Sequence, residues 1–167
     1  MQDRRIAWFL FLAALLLLPS VASAGFSGDS PIRACNYLVG SDIQTEGYQQ
    51  YHGNTYGCEG SYQGAESSLK GGNYLTYQVM GTEDSVEKLE LALSVMADDS
   101  REQALSSFAD LAEELFSRAL ERPLPGEVRS FIQNGEQGIW ELEKATVDLT
   151  REDWSSGNGF DLILVIK

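Results

Sequence analysis

The chain has 167 residues, with 25 acidic against 12 basic side chains and one histidine, for a net charge of −13 at pH 7. This acid excess argues against nucleic acid and anionic membrane surfaces as partners, because both are polyanions, and it suits a solvated acidic surface or a basic partner. A single histidine and two cysteines do not complete a convincing metal site, so neither a metal nor a cofactor is expected.

The first residues set the expected compartment. Arg4 and Arg5 precede an uninterrupted apolar run from Ile6 to Leu18; Pro19 and Ser20 break it, and Ala22-Ser23-Ala24 supplies the small residues that a signal peptidase reads. As a helix that run spans only about 20 Å, short of the roughly 30 Å hydrocarbon core. Residues 1–24 are therefore expected to be a cleaved signal peptide and 25–167 a single exported domain. That domain would be periplasmic in a Gram-negative host and secreted otherwise, with no stable membrane anchor. No cysteine follows Ala24, which disfavours a lipoprotein. Losing two arginines and one aspartate takes the net charge from −13 to −14. In an oxidising compartment Cys35 and Cys58 are expected to form one disulfide; the absence of C-x-x-C spacing disfavours a redox pair.

Ser30-Pro31 is a helix start, and Ile32, Cys35 and Leu38 follow at helical spacing with Val39 beside them, which predicts a short helix over Pro31–Val39 before Gly40. Ser41 to Gly53 has no clear period and reads as irregular. Tyr56 to Tyr62 alternates around Cys58 as a strand, and 64–72 is turn-rich. Leu75, Tyr77 and Val79 then alternate against Tyr74, Thr76, Gln78 and Met80, and Leu89, Leu91, Leu93 and Val95 against Lys88, Glu90, Ala92 and Ser94; the two strands should pair as an antiparallel hairpin. Ser100 with Gln103 fits a capping box. It opens an amphipathic helix of about 22 residues whose apolar face includes Leu105, Phe108, Ala112, Leu115, Phe116 and Ala119, ended by Pro123. A short helix is expected over Pro125–Gln133, stopped by Asn134-Gly135. The stretch from Gly138 to Thr150 reads as a strand whose phase slips, which a bulge near Glu143-Lys144 or a division into two short strands would reconcile. The last strand, from Phe160, is apolar on both faces and so is expected in the sheet centre.

The expected fold is α+β, an antiparallel sheet of about five strands with one long helix packed across it, in the order α-β-β-β-α-α-β-β. This succession resembles that of type III secretion chaperones and similar helix-on-sheet folds. The likeness is one of element order over most of the exported part and carries no motif. Those chaperones are cytoplasmic, so no function follows from it.

Few residues suggest chemistry. His52, the single histidine, sits among Gln, Gly, Asn and Tyr and reads as an exposed loop residue. Glu141 and Glu143 would share a strand face about 7 Å apart, a spacing compatible with glycoside hydrolysis. Carboxylates on a wet strand face are commoner, so no catalytic residue is assigned. All seven tyrosines lie between Tyr37 and Tyr77. Tyrosine suits recognition surfaces, and Tyr48, Tyr51, Tyr56 and Tyr62 are the candidate binding surface; the alternative is that they cover the sheet and the core beside the disulfide. The leading expectation is an exported, non-enzymatic protein that binds another protein, and specifically an inhibitor or immunity protein for a basic envelope enzyme. The alternatives are an envelope hydrolase using a carboxylate pair and a small-ligand binder with a pocket between the long helix and the sheet.

Overall fold

The computed structural model describes residues 30–62, 72–96 and 99–167. The signal peptide expected at 1–24 and nearly all of the turn-rich stretch lie outside them. Period-two patterning produces the centre of the fold. In β4 (Tyr74–Gly81) and β5 (Val86–Met96), Leu75, Tyr77, Val79, Leu89, Leu91, Leu93 and Val95 are fully buried, while the residues between them are half exposed or exposed. The strands pair antiparallel, with Leu75 opposite Leu93 and Val79 opposite Leu89. The last strand, β8 (Gly159–Ile166), lies between β5 and β7 (Thr146–Asp153), in the interior position that its apolar composition predicts.

Among the described residues the sheet has eight strands, not five. Its order is β1-β3-β4-β5-β8-β7-β6, every pairing is antiparallel, and β2 shares an edge of β3 with β1. Two of the extra strands arise in the stretch expected to be irregular. β1 (Ile43–Thr45) and β2 (Gln49–His52) both pair with β3 (Thr55–Tyr62). At three and four residues they are too short to display a period; the β3 ladder imposes their extended form. The third arises at the phase slip, where β6 (Gly138–Glu141) and β7 are two strands joined by a turn in which Leu142 N–H donates to the Ala145 carbonyl at 2.8 Å.

The helices lie on one face. α2 (Arg101–Leu120) packs along β5, burying Leu105, Phe108, Leu115 and Phe116, with Ala104, Ala109, Ala112 and Ala119 keeping the contact face small. It ends two residues before Arg122, whose helical conformation the following Pro123 disfavours; Glu121 turns left-handed at φ 52°. The expected capping box does not form. Ser100 has helical rather than extended backbone angles and gives no side-chain cap. Its Oγ instead accepts from Asn73 Nδ2 at 2.7 Å, while Asn73 Oδ1 accepts from Met96 N–H at 2.7 Å. Buried Asn73 thereby ties the β4 start and β5 end to the α2 start.

α3 (Gly126–Asn134) packs on α2, held by Arg129 against Asp110 at 3.0 Å and Glu113 at 3.4 Å, and ends at Gly135 with φ 66°. Phe131 meets Trp140 edge-on at 5.2 Å. α1 (Pro31–Cys35) starts as expected, with Ser30 Oγ accepting from Arg33 N–H at 3.3 Å. It stops four residues early, where Asn36 Nδ2 bonds the Ile32 carbonyl at 2.7 Å and competes with the helix. A 3₁₀ turn follows at Val39–Ser41, and Ser41 donates to Glu114 of α2. Cys35 and Leu38 are buried, but Ile32, on the outer side of α1, and Val39, in the 3₁₀ turn, are 68% and 50% exposed. The expected Cys35–Cys58 disulfide is present and joins α1 to β3, with Cα atoms 6.0 Å apart.

Candidate binding groove on the helix-free sheet face

Opposed residues of an antiparallel pair share a face, so the register identifies every side chain opposite the helices. One row crosses the sheet as Glu59, Gln78, Glu90, Val165, Asp148 and Ile139. Glu46 extends it, donating its backbone N–H to the Glu59 carbonyl at 3.0 Å. The next row is Gln44, Ser61, Thr76, Ala92, Ile163 and Thr150, and the third is Tyr74, Ser94, Asp161 and Glu152. These three rows hold six carboxylates and no lysine or arginine. The flanking row adds Glu141 with two cations, Lys167 and Lys88, and Lys88 pairs with Glu90 at 2.9 Å. Asp161 accepts from Ser94 Oγ at 2.6 Å and Trp154 Nε1 at 2.9 Å, and Asp148 from Thr150 Oγ1 at 3.2 Å. Among the described residues the carboxylates of Glu46, Glu59 and, on the far side of the sheet, Glu152 have no hydrogen-bond or ion-pair partner. Like charges set opposite one another, as at Glu46 just past β1 and Glu59 on β3, oppose the pairing by roughly 0.2–1 kcal/mol.

At the β1–β4 end of this face lies an open groove of about 800 Å³, lined by Gln44, Glu46, Tyr51, Glu59, Ser61 and Tyr74 among others. Tyr51 is there because the β2–β3 register slips between Gln50 and His52. The slip leaves Tyr51 out of the ladder, with its ring over Gly57, where an added Cβ would stand 2.8 Å from Tyr51 Cε2 and 2.5 Å from the Val79 carbonyl. Partial burial first, then Glu59, then Glu46, raises the Tyr51 phenol above its ordinary range. Tyr51 and Tyr74 are 43% and 55% exposed.

The four tyrosines expected as one surface divide between two. Tyr48 stacks on Tyr56 at 6.1 Å and donates to the Thr82 carbonyl, and Tyr48 and Tyr62 pack against the core. Only Tyr51 of the four lines the groove. The second groove tyrosine, Tyr74, is visible in the sequence as the residue alternating with Leu75; Glu59 likewise alternates with Cys58. His52 is exposed at the end of β2, opposite Thr55. The shared strand face expected for Glu141 and Glu143 does not form. β6 ends at Glu141, which accepts from Thr146 Oγ1 at 2.9 Å, and Glu143 lies in the following turn. Glu143 instead lines a smaller cavity of about 430 Å³ between the α2 end and that turn, with Leu120, Arg122, Leu142 and Lys144. Among the described residues no group of three or more His, Cys, Asp or Glu could hold a metal ion, and no helix is long and apolar enough to cross a membrane. No family model matches the chain, and no curated protein or solved structure matches it.

Proposed function

We propose that this chain is an exported, non-enzymatic binding protein whose helix-free sheet face engages a basic protein. The observation that carries the reading is the three cross-sheet rows with six carboxylates and no cation. The leader pattern and the Cys35–Cys58 bridge support export, since disulfides persist in oxidising compartments. In its specific form the partner is a basic cell-wall-degrading enzyme, and this protein is its inhibitor or immunity partner. An acidic face steers such an encounter, so association is fast at low salt and slows as salt screens it.

The test titrates residues 25–167 against a basic muramidase in a wall-lysis assay. Inhibition at about 0.02 M salt that weakens towards about 0.3 M, and that disappears when Glu59, Glu90 and Asp148 are changed to their amides, is the expected result. Undiminished lysis at every ratio in low salt removes the inhibitor form. Full inhibition by the triple amide variant removes the sheet face as the contact.

A further inference from the structure

We propose that the groove beside β2 and β4 is an arginine site: it takes the guanidinium group of an arginine carried by an extended segment of the basic partner, against the Tyr51 and Tyr74 rings and over the carboxylates of Glu46 and Glu59. This deepens the reading above and rests on it.

Three observations converge on that occupant. Charge comes first. Glu90, Asp148 and Asp161 on the same face each have a neighbour that satisfies them, whereas Glu46, just past the end of β1, and Glu59 on β3 lie opposite one another with no cation or donor among the described residues. A bound cation relieves that repulsion. Shape and surface come second. Tyr51 is taken out of the ladder by the register slip and laid over Gly57, and Tyr74 stands exposed where β4 begins. An aromatic face beside a carboxylate pair matches guanidinium, which stacks on rings and forks its N–H groups onto carboxylates; an ammonium is a compact, strongly hydrated point charge that gains less from either. Room comes third. A groove of about 800 Å³ exceeds one side chain and admits the backbone that carries it, with Gln44 at its wall as a polar neighbour.

The site should therefore distinguish arginine from lysine at equal charge, which a merely acidic surface does not. The experiment uses residues 25–167 and two probes, acetyl-tetra-arginine amide and acetyl-tetra-lysine amide, titrated at about 0.1 M salt and followed by amide chemical shifts. The expected result is saturable binding about tenfold tighter for the arginine probe, with shifts concentrated at 44–46, 51, 59–61 and 74. Tyr51→Ala and Glu59→Gln each reduce the arginine preference, and Tyr51→Phe, which keeps the ring, retains most of it. Native thermal midpoints in each variant separate loss of the site from loss of the fold. Equal affinity for the two probes, indifferent to Tyr51→Ala, overturns the arginine site while leaving the acidic-face reading standing. Binding of neither probe, even at low salt, overturns both. An arginine preference that survives the Tyr51→Ala, Tyr74→Ala double variant places the site elsewhere and overturns the groove.

Discussion

Tyr77 joins the two layers through one hydroxyl. Its ring is fully buried on the inner face of β4, and its hydroxyl donates to the Ala34 carbonyl of α1 at 2.8 Å. Burial, with a smaller contribution from Tyr37, holds the phenol well above its ordinary value of 10.0. The unfolded chain releases this proton near pH 10 and the folded chain keeps it. The contribution is thus fully present below pH 10 and is lost as the pH rises beyond it, by up to about 1.4 kcal/mol per pH unit. Tyr48 and Tyr51 shift in the same direction. Thermal midpoints should therefore fall steeply above pH 10, and Tyr77→Phe should flatten that fall while costing about 1 kcal/mol at neutral pH. An alkaline fall of unchanged steepness in the variant would place its origin elsewhere. Glu59 predicts the opposite sign: Glu59→Gln removes a like-charge opposition with Glu46, so the free protein should melt higher by the equivalent of a few tenths of a kcal/mol. A lower midpoint for that variant would mean that the carboxylate has a stabilising partner.

At the scale of elements, α1 depends on the sheet more than on itself. Five residues make no independent helix; the Cys35–Cys58 bridge, the Tyr77 hydroxyl and the Thr45 Oγ1 bond to the Cys35 carbonyl at 3.1 Å hold it. The bridge spans 23 residues of sequence, so replacing both cysteines by alanine should lower unfolding free energy by about 3 kcal/mol. The denaturant midpoint measures it, and a midpoint unmoved by the double substitution would show that packing alone secures α1. The elements readable from sequence were those that bury one full face. β4, β5 and α2 carry four or more periods of contrast between wet and dry sides, so each declares its own type. β1, β2 and the β6–β7 break were not readable in this way, because such short segments take their conformation from a partner strand. The groove was legible only in part for the same reason. Alternation puts Tyr74 opposite Leu75 and Glu59 opposite Cys58, but bringing them to Tyr51 and Glu46 requires knowing that β1 and β2 both add to β3. The Gln50–His52 slip, which turns Tyr51 away from Tyr48 and Tyr56, leaves no mark in the local pattern.

Across the whole molecule, a net charge of −13 works against the compact state. The carboxylates gathered on one sheet face concentrate that repulsion, so the melting midpoint of the isolated protein should rise as sodium chloride increases from about 0.02 to 0.5 M and screens it. A flat response would mean that the acidic side chains are already compensated locally. The strand order has another consequence, for the timing of assembly. β8 follows every other described element in the chain, yet it stands between β5 and β7. Until it arrives, β1–β5 form one unfinished piece and the β6–β7 hairpin another, and neither edge that β8 joins has its neighbour. Leu93 waits for Leu162, and Leu149 for Leu164. The Leu149 contact is local to the β7–β8 hairpin, but the Leu93 contact joins distant parts of the sequence, and contacts of such long separation form late and slowly. The core therefore closes from its centre, and only when β8 is laid between its two neighbours do the separate pieces become one sheet.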